Sequence, residues 1–154
     1  MAVAKVSLNL PFGLGGIDWK PSDVEKKAAW NIYVELTTRI ATQDLAPEAG
    51  VDRDSLRSLY ALFGATRRIL RAAGPGAGLS RDSVGGIAIA VLNKGLRPFL
   101  SQWQARLTSW EQNGEDIEPW PEQAAFRTEL QHLTGEMNTY AEVLAIMAGV
   151  GEQL

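Results

Sequence analysis

The chain of 154 residues contains no cysteine. Disulfides, thiolate metal sites and thiol nucleophiles are therefore excluded, and a reducing compartment such as the cytoplasm is compatible with the composition. There is a single histidine, His132. Any site that needs two imidazoles within one chain cannot be assembled. Long apolar runs are missing as well. The longest, Ile87 to Leu92, is far below the roughly 20 residues of a membrane-spanning helix. The first residues, MAVAKVSLNLPFG, lack the basic start and sustained apolar core of a signal peptide. Basic residues are scarce in the last third. Residues 1–110 carry 14 Lys and Arg against 9 Asp and Glu, whereas residues 111–154 carry only Arg127 against 9 acids. The overall charge of −3 speaks against nucleic acid as a partner. The segregation itself can join two parts of one fold or neighbouring copies of the chain.

What is present is helical periodicity. From Val84 to Trp110, the residues Val84, Ala88, Val91, Leu92, Leu96, Phe99, Trp103, Leu107 and Trp110 recur at steps of three and four. That spacing puts them on one stripe of a helix. A continuous helix over this stretch would be about 40 Å long at ~1.5 Å per residue, long enough to floor three others. Pro98 interrupts the stripe, lacks an amide hydrogen and crowds the preceding turn, so a bend is expected near Lys94–Gly95. Gly85 and Gly86 disfavour the start of this helix and permit close approach of a neighbouring backbone.

Residues 1–20 form an arm. Val6, Leu8 and Leu10 alternate with polar neighbours, Pro11 and FGLGG make a turn, and Ile17-Asp18-Trp19 returns. This is a β-like arm or hairpin, too small to be stable unless it lies against the helices. Ser22-Asp23-Val24-Glu25 is a capping box opening a helix over 22–43. Apolar residues cover most of that helix, leaving a narrow polar stripe of Asn31, Glu35, Thr38 and Thr42. Such a helix is central to its fold or meets a second chain. A second helix over 53–73 is capped by Asp52 or Asp54 and buries Leu56, Leu59, Tyr60, Phe63, Ile69 and Leu70. Its other side carries Arg53, Arg57, Arg67, Arg68 and Arg71. After the break Gly74-Pro75-Gly76-Ala77-Gly78, a third helix spans 80–111, capped by Ser80 or Asp82. A fourth spans 121–148, with Pro121 in its first turn. Its residues Phe126, Leu130, Leu133, Met137, Tyr140, Leu144 and Met147 form a heptad seam. The expectation is one all-α domain over 1–154, a four-helix bundle with a short N-terminal β-like arm.

Catalytic patterns are missing from this frame. Glu129-Leu-Gln-His132 is half of a di-iron carboxylate motif, but the second histidine does not exist. No Gly-x-Ser-x-Gly supports a hydrolase. Gly13-Leu-Gly15-Gly16-Ile-Asp18 fails the dinucleotide fingerprint at its sixth position. No catalytic residue, cofactor site or metal site is assigned. An enzymatic role would need a buried carboxylate such as Glu35. Five tryptophans are many for this length, and Trp19 and Trp120 stand outside the helical stripes. With Trp30 and the five arginines of the second helix they are the candidate interaction surface.

The blocks WNIYVELTTRIATQ, SLYALFGATRRIL, IAIAVLNKGLRPFL and AFRTELQHL resemble an uncharacterised bacterial helical-bundle domain family with no established activity. The resemblance covers residues from about 5 to 150. It implies a stand-alone or fused module and carries no catalytic residue across. The sequence thus points to a non-catalytic, cytoplasmic interaction or assembly module that binds a protein partner or itself, with a homo-oligomer in view. The alternative is an effector bundle acting on anionic lipid, motivated by Gly85, Gly86 and the run Ile87–Leu92.

Overall fold

The computed structural model describes residues 5–39, 49–114 and 119–150. It is an all-α fold with a two-stranded N-terminal arm. The alternation in the arm becomes β1 (Val6–Leu10) and β2 (Gly15–Trp19), antiparallel with Val6 opposite Trp19 and Leu8 opposite Ile17. Between them Leu14 N donates to the Pro11 carbonyl at 3.2 Å. The two central residues of this turn, Phe12 and Gly13, have φ of 58° and 66°. Positive φ at both positions gives the turn the hand that matches strand twist. Leu8 and Trp19 face inward and are buried, so the hairpin lies on the helices as its size requires.

Four helical rods follow. Helix α1 runs over Asp23–Thr37. The capping box is present, with Glu25 N donating to Ser22 Oγ at 3.2 Å. The glutamate does more than close the box, because its Oε2 accepts from Trp19 Nε1 at 2.7 Å and from Val84 N at 3.1 Å. One carboxylate thus ties the arm, α1 and the third rod together. The helix stops short of the expected 43: Thr38 is its C-cap and Arg39 lies in a turn, and residues 40–43 fall outside the described residues. Helix α2 spans Ala49–Ala73 and starts a turn earlier than the sequence suggested. Asp52 is therefore inside the first turn rather than its cap. After a 3₁₀ turn at Pro75–Ala77, Ser83 rather than Ser80 or Asp82 caps α3 (Val84–Ala90), its Oγ accepting from Gly86 N at 3.1 Å.

The α-helical pattern of the third rod is interrupted just before Pro98 by a specific device. Residues Val91–Leu96 form a π segment between α3 and α4 (Arg97–Gln112), with Arg97 N donating to the Leu92 carbonyl five residues back. The widened turn accommodates a residue that has no amide hydrogen to contribute. Gly95 lies in this segment because the arm occupies its side-chain space. A Cβ there would sit 2.6 Å from the Phe12 ring. Phe12 is held in its unfavourable backbone region by the same docking, its amide donating to Glu136 Oε2 at 2.6 Å. Helix α5 (Gln123–Met147) is the last rod. Its whole predicted seam is buried. Pro121 precedes the helix instead of occupying its first turn.

Helix α1 packs against α2 and α5, and α4 lies against α2. Helices α4 and α5 meet through the Phe99–Phe126 and Trp103–Phe126 ring pairs, 5.8 and 5.4 Å between centroids. The core runs through the middle of these rods. Among the described residues no helix is long and apolar enough to cross a membrane.

The glycines give a direct test of this packing. A Cβ on Gly86 would stand 1.8 Å from the Ser80 carbonyl oxygen, and one on Gly85 2.0 Å from that of Gly78. The close neighbour anticipated for these glycines is the chain's own preceding loop. Gly86→Ala is expected to destabilise the protein by about 2 kcal/mol or more, since backbone must move. Gly64→Ala, whose Cβ meets nothing within 4 Å, is expected to stabilise it by up to about 1 kcal/mol. Urea unfolding of the two variants reads both signs.

Candidate functional site

The most concentrated polar chemistry lies where α2 begins and α5 begins. Asp52 is 0 % exposed. Its Oδ2 accepts from Trp120 Nε1 and from Gln123 Nε2, both at 2.8 Å, and its Oδ1 from Arg127 Nε at 3.0 Å. Trp120, Gln123 and Arg127 follow one another at steps of three and four, so one side of the entry to α5 presents three donors to one carboxylate. Removal of water from such a group is costly unless its lone pairs are filled, and here they are filled by side chains 68 to 75 positions away. The rings around it are aromatic. Trp120 lies 6.1 Å from Trp103, 6.3 Å from Trp110 and 5.9 Å from Phe126.

The arrangement is saturated rather than poised. Each oxygen of Asp52 has a donor. Two polar atoms in the body, Trp110 Nε1 and Tyr140 Oη, are buried without a hydrogen-bond partner among the described residues. Burial pushes the Tyr140 hydroxyl above its ordinary range, which keeps it neutral. No group of three or more His, Cys, Asp or Glu comes together among the described residues. His132 is exposed, and Glu129 accepts from Trp103 Nε1 at 2.7 Å. Glu35 lies between Arg39 at 3.2 Å and Arg68 at 3.7 Å. Its carboxylate is engaged by two guanidinium groups on the surface rather than enclosed with a substrate space.

The structure separates the predicted interaction residues into two groups. Trp19 and Trp120 are each 2 % exposed. They are not surface anchors, because the indole of each fills the core and donates to an internal carboxylate. Arg53 also turns inward to α4, donating to Thr108 Oγ1 at 2.9 Å and pairing with Glu111 at 2.5 Å. Arg57, Arg67, Arg68 and Arg71 are exposed. Arg57 makes a long pair with Asp54, at 3.9 Å, and Arg68 reaches Glu35.

Tyr60 belongs with them. It was expected in the buried face of α2 but is 59 % exposed, resting its ring 6.0 Å from that of Phe63. Arg97 also lies over the Phe63 ring, 4.7 Å from its centroid. On α1, Trp30 is 45 % and Val34 39 % exposed, one turn apart on one side, and Trp30 stacks on Tyr33 at 5.7 Å. The wet face of α1 is therefore wider and less polar than the sequence pattern suggested.

Part of the charge segregation is resolved inside the chain. Arg53–Glu111 and Arg106–Glu122 at 3.3 Å each pair a base of the basic part with an acid of the acidic part, whereas Arg127–Asp52 pairs them the other way round. Of the features that suggested a lipid-active bundle, Gly85 and Gly86 seat their own loop, and Ile87, Ala88, Val91 and Leu92 are core, while Ile89 is 40 % exposed. Comparison with protein-family models, curated proteins and solved structures finds no match to this chain.

Asp52→Ala should destabilise the fold by about 3–5 kcal/mol, the scale for breaking one side of a buried ion pair, because two buried donors lose their acceptor along with Arg127. Trp120→Phe, which removes one donor and keeps most of the ring volume, should cost about 1–2 kcal/mol. The double variant should lose less than the sum, with a coupling of roughly 0.5–3 kcal/mol in a double-mutant cycle. Additive losses would mean that the bond contributes nothing beyond packing.

Proposed function

We propose that this chain is a four-helix bundle acting as a non-catalytic protein-interaction or assembly module of the bacterial cytoplasm. Its working surface is the outward side of α1 and α2. The observation that carries the reading is the exposed aromatic pair on α1, with Trp30 stacked on Tyr33 and Val34 beside it. A tryptophan half in water adds nothing comparable to the core, whereas a large rigid ring that becomes covered is the commonest anchor of an interface. The exposed arginines of α2, which packs against α1, add a charged flank. Arginine suits this place because its planar fork engages carboxylates in pairs of bonds.

The reading is supported from the other side by the internal carboxylates. Asp52, Glu25 and Glu129 are occupied with tryptophan indoles, and their work is structural. That leaves the surface, rather than an enclosed site, as the part of the molecule with unused capacity.

Trp30→Ala is the direct test. The bound state should weaken by about 2 kcal/mol, roughly thirtyfold, whether the partner is captured from the native host or is a second copy seen by light scattering. The midpoint of thermal unfolding should hardly move. A wild-type chain that is strictly monomeric at high concentration and captures nothing that Trp30→Ala does not also capture would overturn the proposal.

A further inference from the structure

The chain has five asparagines, and one of them is followed by glycine. Asn9 precedes Leu10 in β1, Asn31 precedes Ile32 in α1, Asn93 precedes Lys94 in the π segment and Asn138 precedes Thr139 in α5. At each of these the amide after the asparagine lies within a strand or helix, and its residue carries a side chain. Asn113 and Gly114 differ on both counts. They close α4 at an exposed end. Asn113 is the C-cap, with φ −77° and ψ −2°, and Gly114 takes φ 68°. Helices commonly stop on a residue in that left-handed region, where glycine is the usual occupant. The pair therefore has a structural origin: the glycine that ends α4 stands directly after an asparagine.

The group that matters is the backbone nitrogen of Gly114. It donates to the Glu111 carbonyl at 3.4 Å, beyond the usual range of such bonds. The Asn113 amide is better held, by the Ser109 and Trp110 carbonyls at 3.2 Å each. Losing the one loose bond frees the Gly114 amide to turn towards the side chain of Asn113, and helix ends open this way far more cheaply than the whole fold. A Cβ built on Gly114 meets nothing within 4 Å, so the peptide has space to turn, and glycine itself offers no side chain to block the approach. The chemistry is intramolecular, between groups already held side by side. The Gly114 nitrogen gives its proton to solvent base and attacks Cγ of Asn113. A C–N bond forms, the Cγ–NH2 bond breaks, and the amine takes a proton from water and leaves as ammonia. Water then opens the five-membered imide at one of its two carbonyls. One opening leaves aspartate at 113. The other leaves isoaspartate, with the main chain running through the former side-chain carbon. Nothing is oxidised or reduced.

We propose that Asn113 is a self-modification site of the folded protein, converted through a cyclic imide with Gly114 to aspartate and isoaspartate, and that the charge gained loosens the end of α4. The last turn of α4 contains no basic residue, and a new anion there meets the negative end of the helix dipole. Arg53, which reaches this end from α2, is already engaged with Glu111 and Thr108. The modification adds one negative charge to residues 111–154, which hold 9 acids against Arg127. It is a property of the chain's own covalent chemistry and stands apart from the interaction-module reading.

Incubation of the full chain at neutral and at mildly alkaline pH, followed by peptide mass mapping, tests it. Cleavage after lysine and arginine releases Leu107–Arg127, in which Asn113 is the only asparagine. That segment should gain about 1 Da and divide into two chromatographic species, the aspartate and isoaspartate forms. The gain should be faster at the higher pH, because the attacking nitrogen must lose its proton. Segments carrying Asn9, Asn31, Asn93 and Asn138 should keep their mass over the same time. Asn113→Gln, which would need a larger ring, should abolish the gain and keep the wild-type thermal midpoint. Asn113→Asp, which carries the new charge from the outset, should lower the midpoint by about 1–4 °C. A Leu107–Arg127 segment that keeps its mass in the folded chain but gains it in urea overturns the proposal, since the fold then protects the site. A gain that persists in Asn113→Gln, or that appears equally at the other asparagines, overturns it as well. An Asn113→Asp midpoint equal to wild type overturns the loosening of α4.

Discussion

A carboxylate without exposed surface persists only if its oxygens are occupied, and the three donors around Asp52 meet that demand from a single stretch of chain. The consequence is architectural. Apolar contact between helices is nearly indifferent to small slides along their axes, whereas a bidentate acceptor facing three directed donors is not. The bonds of Asp52 therefore fix where α5 starts relative to α2. They also fold the segment before α5 inward, so that Trp120 becomes a wall of the aromatic cluster with Trp103, Trp110 and Phe126. The same pairing recurs at two other joints. Trp19 is held by Glu25 and Trp103 by Glu129, at 2.7 Å each. An indole brings a large apolar area and one N–H that must be satisfied. Answering it with an acid from another element converts packing into alignment.

Much of this was readable from local pattern. The seam of α5, the strand alternation of the arm, the Ser22–Glu25 cap and the crowding at Gly85 and Gly86 each depend on residues close together in sequence. The failures share a different physical origin. Trp19 and Trp120 sit outside any helical stripe, and a tryptophan in such a place is either a plug or an anchor. What decides is an acceptor 68 residues away for Trp120, and for Trp19 a glutamate that periodicity had already assigned to a cap. Asp52 at the start of a helix has the same double character. The signal that would have distinguished the roles is the trio Trp120, Gln123 and Arg127, three donors at helical spacing with no acid among them.

The third rod shows how a long-range contact rewrites a local expectation. Pro98 predicts a disturbance, but its form depends on what fills the space. Here the tip of the hairpin supplies a ring to Gly95 and an amide to Glu136, and the helix widens into a π segment beside them. Phe12 and Gly95 explain one another, although neither is interpretable alone: one occupies a backbone region that bulky residues avoid, the other weakens a helix. Tyr60 is an error of the opposite sense. Hydrophobic periodicity counts it as core, yet it is 59 % exposed.

That asymmetry is informative about function. A residue that lowers stability is retained without difficulty when the chain itself needs it, as at Gly85, where a side chain would enter the Gly78 carbonyl. Gly64 has no such reason, and neither has the exposed face of Trp30. Both sit on surfaces that the fold would tolerate in more favourable forms: alanine in place of the glycine, a polar side chain in place of the indole. Stability accounts for most of the described interior, Trp110 Nε1 and Tyr140 Oη excepted. The same reasoning, applied to the surface, singles out residues whose presence the folded chain does not explain, Trp30 on α1 and Gly64 on α2.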